Sequence, residues 1–379
     1  MGEELVLWFE EIGRECVPMV GGKSANLGEM IRKGIPVPFG FAITTKAYDR
    51  FMKETGAAQE INRYIGKSWE GPKGVTEYQK ISGVIRQIIE SKEIPLDIRE
   101  ALGLHYNMLC ERSGVANVRV AVRSSGVAED SASSSFAGQF ESFLNVSGEK
   151  DLLNKMKECW SSQFTTRAIT YRIKKKLPNV GSSMCVCVQK MVNARSAGVG
   201  FTVHPITGDS SKIMLEGDWG LGESVVQGIV VPDRYIIDKQ TLNLVEKKIS
   251  NKEKFIASGT QGNVIMDVPV EKRQLPCFSE AEAMKIAEFA KVLESHYGMP
   301  QDVEWAIDSD LPFPKNIFLV QTRPITISMK KGAGEHTEYL VGLMLQMFRQ
   351  IRESSDAEQK NKLLSTSVDN GSEDGKGRR

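Results

Sequence analysis

The residues best suited to chemistry lie in one stretch, Val122-Arg-Ser-Ser-Gly-Val-Ala-Glu-Asp-Ser-Ala-Ser-Ser-Ser-Phe-Ala-Gly-Gln139. Arg123 follows a short apolar run, Val118 to Val122, in which Arg119 is the only charged residue. The sixteen residues after it hold six Ser and two Gly. Phosphate oxygens need donors converging from several directions, and Gly lets the backbone come close. Arg adds a planar fork that pairs with phosphate bidentately. A Ser-rich linker would satisfy the composition, but not the Arg at a strand end or Phe136-Ala-Gly138. The stretch reads as a loop that holds an anion.

Four further segments carry suitable groups. Gly21-Gly-Lys23 places a flexible cation after two glycines. Gly217-Asp-Trp-Gly-Leu-Gly-Glu223 is a Gly-rich turn whose carboxylates suit a metal. Asp302-Val-Glu-Trp305 alternates acidic and apolar residues, which puts Asp302 and Glu304 on one face of a strand, and Val320-Gln-Thr-Arg-Pro324 does the same for Gln321 and Arg323. Each pair alone is an ordinary solvent face of a sheet. Together, a carboxylate, an amide oxygen and a guanidinium suit a magnesium–nucleotide complex, because Mg²⁺ takes few protein oxygens plus phosphates.

The elements that must position these groups follow from periodicity. Gly21 to Met30 reads as a Gly turn entering a helix, and Gly34 to Ile43 as a turn feeding an extended segment, since Pro36 and Pro38 exclude helix. Helical spacing dominates from Lys46 to about Arg112, and a second helix is expected from Asp151 to Leu177. Strand patterns follow at Ser183–Val192, Ala197–Val203, Lys212–Glu216, Asp233–Asp238 and Asn243–Val245. A helix from Phe278 to Tyr297 precedes strands at Asp302–Ile307 and Asn316–Gln321. The expected organisation is a helix-rich lobe over 1–192 and a sheet-dominated lobe over 193–328. A segment over 329–379 follows: a linker, an amphipathic helix from Thr337 to about Leu364, and a tail of disordered composition.

Composition narrows the function classes. A chain of 379 residues that is 41% hydrophobic and 26% charged can bury a core. The net charge of +1 gives no general attraction to nucleic acid or an anionic membrane. No apolar run approaches the roughly eighteen residues that span a bilayer, and the first residues lack the pattern of a signal peptide. The six Cys are scattered and complete no zinc pattern, so reduced thiols in a cytoplasmic protein are expected.

Gly21-Gly-Lys-Ser-Ala-Asn-Leu27, Val122-Arg-Ser-Ser through Gln139, Gly220-Leu-Gly-Glu-Ser-Val-Val-Gln-Gly228, Asp302-Val-Glu-Trp305 and Gln321-Thr-Arg-Pro324 occur in that order. In order and spacing the set resembles the N-terminal ATP-binding domain of the phosphoenolpyruvate synthase and pyruvate phosphate dikinase family, over roughly residues 10 to 328. The resemblance implies an α+β, ATP-grasp fold in which two lobes clamp ATP, here with a C-terminal helical or disordered extension. It implies that Lys23, Arg123, Gly138 and Ser142 contact the phosphates and the loop around them, and that Gln189 lies on the adenine side. It also implies that Glu304 and Gln321 hold Mg²⁺ and that Arg323 neutralises the transferring phosphates, with Lys23, Arg123 and Arg323 as the catalytic cations. Ser142 stands where family members often have Thr, which keeps the hydroxyl. On this reading Arg323→Ala and Glu304→Ala should abolish transfer and leave the fold intact.

Enzymes of the family pass a phosphoryl group from ATP to a histidine in a Gly-Gly-x-Thr-Ser-His type segment, and then to the final acceptor. The four histidines, His105, His204, His296 and His336, stand in no such segment, and His204 reads as structural. The resemblance therefore implies a kinase half-reaction, ATP to AMP and phosphate. The β-phosphoryl goes to a histidine on a separate subunit that also carries the acceptor site, as in phenylphosphate synthase, with phenol the favoured acceptor. The alternatives are a split phosphoenolpyruvate synthase, a rifampicin-type antibiotic phosphotransferase and, from another class, a non-catalytic ATP-sensing module.

Overall fold

The computed structural model describes residues 4–68, 74–126, 130–131, 134–135, 140–174, 183–259 and 262–325. The expected helix over 337–364 lies outside them.

The apolar run before Arg123 becomes the centre of the first sheet. Its strands are β1 (Val6–Trp8), β2 (Gly40–Ile43), β3 (Val120–Gly126), β6 (Ser142–Val146) and β7 (Met184–Lys190), antiparallel in the order β1-β2-β7-β3-β6. A minimal pair, β4 (Asp130–Ser131) and β5 (Ser134–Ser135), follows β3. On one face Val120, Val122, Val186 and Val188 pack into a core with α2 (Thr45–Glu54), α3 (Ala57–Ser68), α4 (Val75–Ser91), α5 (Leu96–Ser113) and α6 (Glu149–Ser161). Trp160 is fully buried there and stacks on Phe51. The other face presents Leu7, Ala42, Cys185 and Cys187 to α1 (Val17–Arg32).

The second sheet contains β8 (Ala194–Phe201), β9 (Lys212–Trp219), β10 (Asp233–Asp238), β11 (Leu244–Lys248), β14 (Gln301–Asp308) and β15 (Ile317–Pro324). Its order is β11-β10-β9-β8-β14-β15, again antiparallel. A helix α9 (Glu280–Tyr297) opens on a capping box between Ser279 and Glu282 and lays Ala283, Ile286, Ala287, Ala290 and Leu293 on the sheet. Leu215, Val303 and Trp305 face this helix, and a Cβ on Gly217 would lie 2.6 Å from Trp305. Period-two alternation turns Glu216, Asp218 and Glu304 to the opposite face. The core under α9 also contains Val20, Leu27 and Met30 of α1, so α1 packs between the two sheets.

The mixed α+β class is the one expected from sequence. Two local expectations change. The helix expected over 151–177 breaks into α6, a 3-10 turn over Ser162–Phe164, and α7 (Thr166–Lys174), with the Ser162 hydroxyl donating back to Cys159 O. Residues 254–267, expected in no element, form a hairpin of β12 (Lys254–Gly259) and β13 (Gly262–Asp267). No described helix is long and apolar enough to cross a membrane.

Candidate nucleotide and metal site

The helix α1 is interrupted where Gly21 adopts φ 70° and ψ 171°. A Cβ there would stand 2.2 Å from the backbone oxygen of Ser125, so only Gly allows this close approach. The approach is fastened by Ser125 Oγ, which donates to Val20 O at 2.8 Å and accepts from Ser24 N at 3.3 Å. Lys23 thereby lies beside the end of β3 and donates from Nζ to Ser124 O at 2.8 Å. Three residues further along the chain, Asn26 donates to Thr322 O of β15 at 3.1 Å and accepts from Tyr297 of α9 at 2.9 Å. The Gly-Gly-Lys-Ser-Ala-Asn segment thus joins both sheets.

Arg123 leaves β3 and reaches the second sheet. Its Nη1 donates to Val320 O at 3.2 Å. Its Nη2 alone donates to both Glu304 Oε2, at 3.2 Å, and Gln321 Oε1, at 2.5 Å. Glu304 and Gln321 are opposite each other in the β14–β15 register, just before a bulge at Glu304/Trp305. A carboxylate and an amide oxygen from adjacent strands therefore converge on one point. The same row of the sheet continues through Val199 to Glu216, which is neutralised by Arg234 through bonds of 2.8 and 2.7 Å.

The remaining candidates are distributed around this centre. Arg323 is held by the buried carboxylate of Asp302, with Nε and Nη2 each 2.7 Å from Oδ2. Burial pushes the Asp302 carboxyl above its ordinary range, while Arg323 pulls it back down. Ser142 is exposed and opposite Arg123 in the β3–β6 register. Gln189 is buried in β7 between Gly40 and Ala121, and its Nε2 has no partner among the described residues. The Ser124 hydroxyl is likewise buried and unpartnered among them. Gly138 lies outside the described residues. His204 is tied into its own turn, its Nδ1 accepting from the N–H groups of Ile206 and Thr207. Beneath Arg123, Cys187 is opposite it in the β3–β7 register, and burial pushes its thiol up to about 11.

The Gly-rich turn stands over the same face of the second sheet. Gly220 has φ 70°, and a Cβ there would stand 2.2 Å from Ile256 O. Next to it, Asp218 is fully buried; its Oδ2 accepts from Ser224 of α8 (Glu223–Val226) at 3.1 Å. Burial raises this carboxyl to about 6. A cavity of about 460 Å³ lined by Tyr64, Val84 and Ile88 lies among the first-core helices and contains none of these residues.

Residues 17–340 of the chain match the family of the pyruvate phosphate dikinase AMP/ATP-binding domain. The chain belongs to this family. A probable phosphoenolpyruvate synthase of Staphylothermus marinus is 41% identical over 359 residues, covering 89% of this chain and 43% of the relative. The phosphoenolpyruvate synthase of Aeropyrum pernix is 41% identical over 361 residues, covering 88% of this chain and 44% of the relative. A probable phosphoenolpyruvate synthase of Methanothermobacter thermautotrophicus is 42% identical over 334 residues, covering 88% and 47%. The chain thus spans less than half the length of these relatives.

For this AMP/ATP-binding domain, the donor set can be tested against the expected metal. Glu304 and Gln321 offer hard oxygens already directed at one cationic nitrogen, and no group of three His, Cys, Asp or Glu able to hold a metal occurs among the described residues. Two protein oxygens, with the balance from phosphates and water, fit Mg²⁺. The tethering of Arg323 by Asp302 and the tie made by Asn26 were not read from sequence. Asp302 was visible as an alternating acidic residue, but its partner is set by strand register.

Proposed function

We propose that this chain binds Mg·ATP between its two sheets and delivers the β-phosphoryl group to a histidine carried outside its own residues, with AMP as the leaving group and the γ-phosphoryl passing to water as phosphate. The observation that carries the reading is the convergence of Glu304 and Gln321 on the Arg123 guanidinium, a cation site at the junction of the two sheets. The lobes are taken as 1–192 and 193–328, with 329–379 as an extension, acting in the cytoplasm.

In this reading Lys23, Arg123 and Arg323 bind and align the phosphates, the Ser124 hydroxyl offers a donor beside them, and Gln189 meets the adenine. Gly138 and Ser142 belong to the loop around the phosphates. Glu304 and Gln321 hold Mg²⁺, whose contribution is to neutralise and template the phosphate chain. The residues supply position and charge rather than covalent chemistry, which is what phosphoryl transfer requires. Phenol is the acceptor favoured by the sequence reading. The names of the relatives favour phosphoenolpyruvate synthesis instead, with pyruvate as acceptor.

The test is to incubate the chain with Mg²⁺ and ATP labelled at the β-phosphate, with and without a histidine-bearing protein of this family, and to follow AMP and acid-labile protein label. AMP formed together with label on that protein supports the reading, and addition of phenol or pyruvate then identifies the acceptor. Tight ATP binding with no AMP under any condition would leave an ATP-sensing module.

A further inference from the structure

We infer that Arg123 is a built-in stand-in for the metal ion, so that in the nucleotide-free chain the metal site is already filled and metal enters only by exchange, together with nucleotide. This rests on the metal assignment proposed above.

The geometry is specific to one nitrogen. Arg123 Nη2 takes both oxygens, Glu304 Oε2 at 3.2 Å and Gln321 Oε1 at 2.5 Å, while Nη1 occupies Val320 O. A cation seeking the same two oxygens must displace Nη2, because two positive centres cannot share one point. The contact is sheltered, with the Arg123 and Glu304 side chains only 15% and 25% exposed, so water screens it incompletely. Glu304 is thus already neutralised before any metal arrives. Two neighbouring carboxylates among the described residues are already paired with cations, Asp302 with Arg323 and Glu216 with Arg234.

The displaced guanidinium has somewhere to go. Arg123 is rooted in β3 next to Ser124, whose carbonyl holds Lys23 and whose hydroxyl is unpartnered among the described residues. Phosphate oxygens arriving there offer Arg123 a bidentate partner. Each event supplies what the other needs: phosphate draws the guanidinium away, and the metal takes the freed carboxylate. Metal and nucleotide should therefore bind with positive, reciprocal coupling.

The probe is Mn²⁺, followed by electron paramagnetic resonance on the full nucleotide-free chain. Arg123→Met keeps the apolar stem and removes the charge; Arg123→Gln is the polar counterpart. The expected result is weak binding of free Mn²⁺ by the wild type and binding about tenfold or more tighter in the variants, the scale of one charge-assisted hydrogen bond to a carboxylate. The coupling between Mn²⁺ and a non-hydrolysable ATP analogue should shrink in both. Equal affinity of wild type and folded variants for free Mn²⁺ overturns the inference. So does loss of the fold in both variants, since a contact released on every cycle cannot be indispensable to folding. Glu304→Gln separates the two claims. If it leaves binding of Mn²⁺ with the analogue unchanged, the metal assignment itself is wrong, whatever the Arg123 variants do.

Discussion

Glu304 and Arg323 differ in what their removal leaves behind. Glu304→Gln keeps shape and takes away the charge, and Arg123 retains the amide of Gln321 and Val320 O as acceptors. Transfer should fall by about a hundredfold or more with the fold retained, the scale on which preorganised charge contributes. Arg323→Ala should impair transfer as strongly, with the fold retained as expected from sequence but less stable. Asp302 is only 8% exposed and has Arg323 as its charge partner. Removing the guanidinium strands a buried carboxylate at a cost of about 2 kcal/mol. Adding Asp302→Asn should recover part of that stability without recovering activity. Urea unfolding and turnover, measured side by side, check this; an Arg323→Ala protein as stable as the wild type would contradict the pairing.

The Gly-rich turn between β9 and α8 is sensitive to pH through Asp218. Its carboxyl titrates at about 6 in the folded chain, well above the ordinary aspartate value, because burial disfavours the charge. The folded state therefore holds the proton more tightly than the unfolded state, and stability contributed by this group falls as pH rises from about 4 to about 6 and stays flat above. The change is worth about 3 kcal/mol. Asp218→Asn removes the titration, so its melting temperature relative to wild type should be higher at pH 7.5 than at pH 5. A pH-independent difference would show that burial does not raise the Asp218 pKa above its value in the unfolded chain. Asp218 was visible in the sequence only as an acidic residue in a turn, and its burial under Ser224 was not. Lys23, Arg123, Glu304 and Gln321 were legible because chemistry-bearing types stand at spacings set by strand alternation and Gly turns. Their convergence was not legible, since Arg123 meets Gln321 across 198 positions of chain. The hairpin of β12 and β13 escaped because Val264, Ile265 and Met266 are exposed in succession, which leaves no alternating pattern to read. The break between α6 and α7 escaped because apolar spacing continues across it to Phe164, while Ser162 bonds back to the helix end.

At the scale of the whole molecule, α1 decides whether the two sheets behave as one folding unit. The first core is local to the first sheet and its helices, but the second core combines α1, the back of the first sheet, the second sheet and α9. Leu27 sits in that shared core at 2% exposure, on the turn of α1 that also carries Asn26 across to β15. Truncation to Ala leaves a cavity with backbone on both sides and little freedom to collapse, at a cost of about 3 kcal/mol. If the sheets were independent, the loss would be confined to the one that owns α1. The shared core requires instead that Leu27→Ala lower the opening free energy of both by similar amounts. Native-state hydrogen exchange distinguishes these outcomes, because the slow amides of β3 and β7 report one sheet and those of β14 and β15 the other. Acceleration of both sets by the same factor is expected. Acceleration of the first set with the second unchanged would mean that α1 merely rests on β15, and the Arg123 bridge would then join two separately folding lobes.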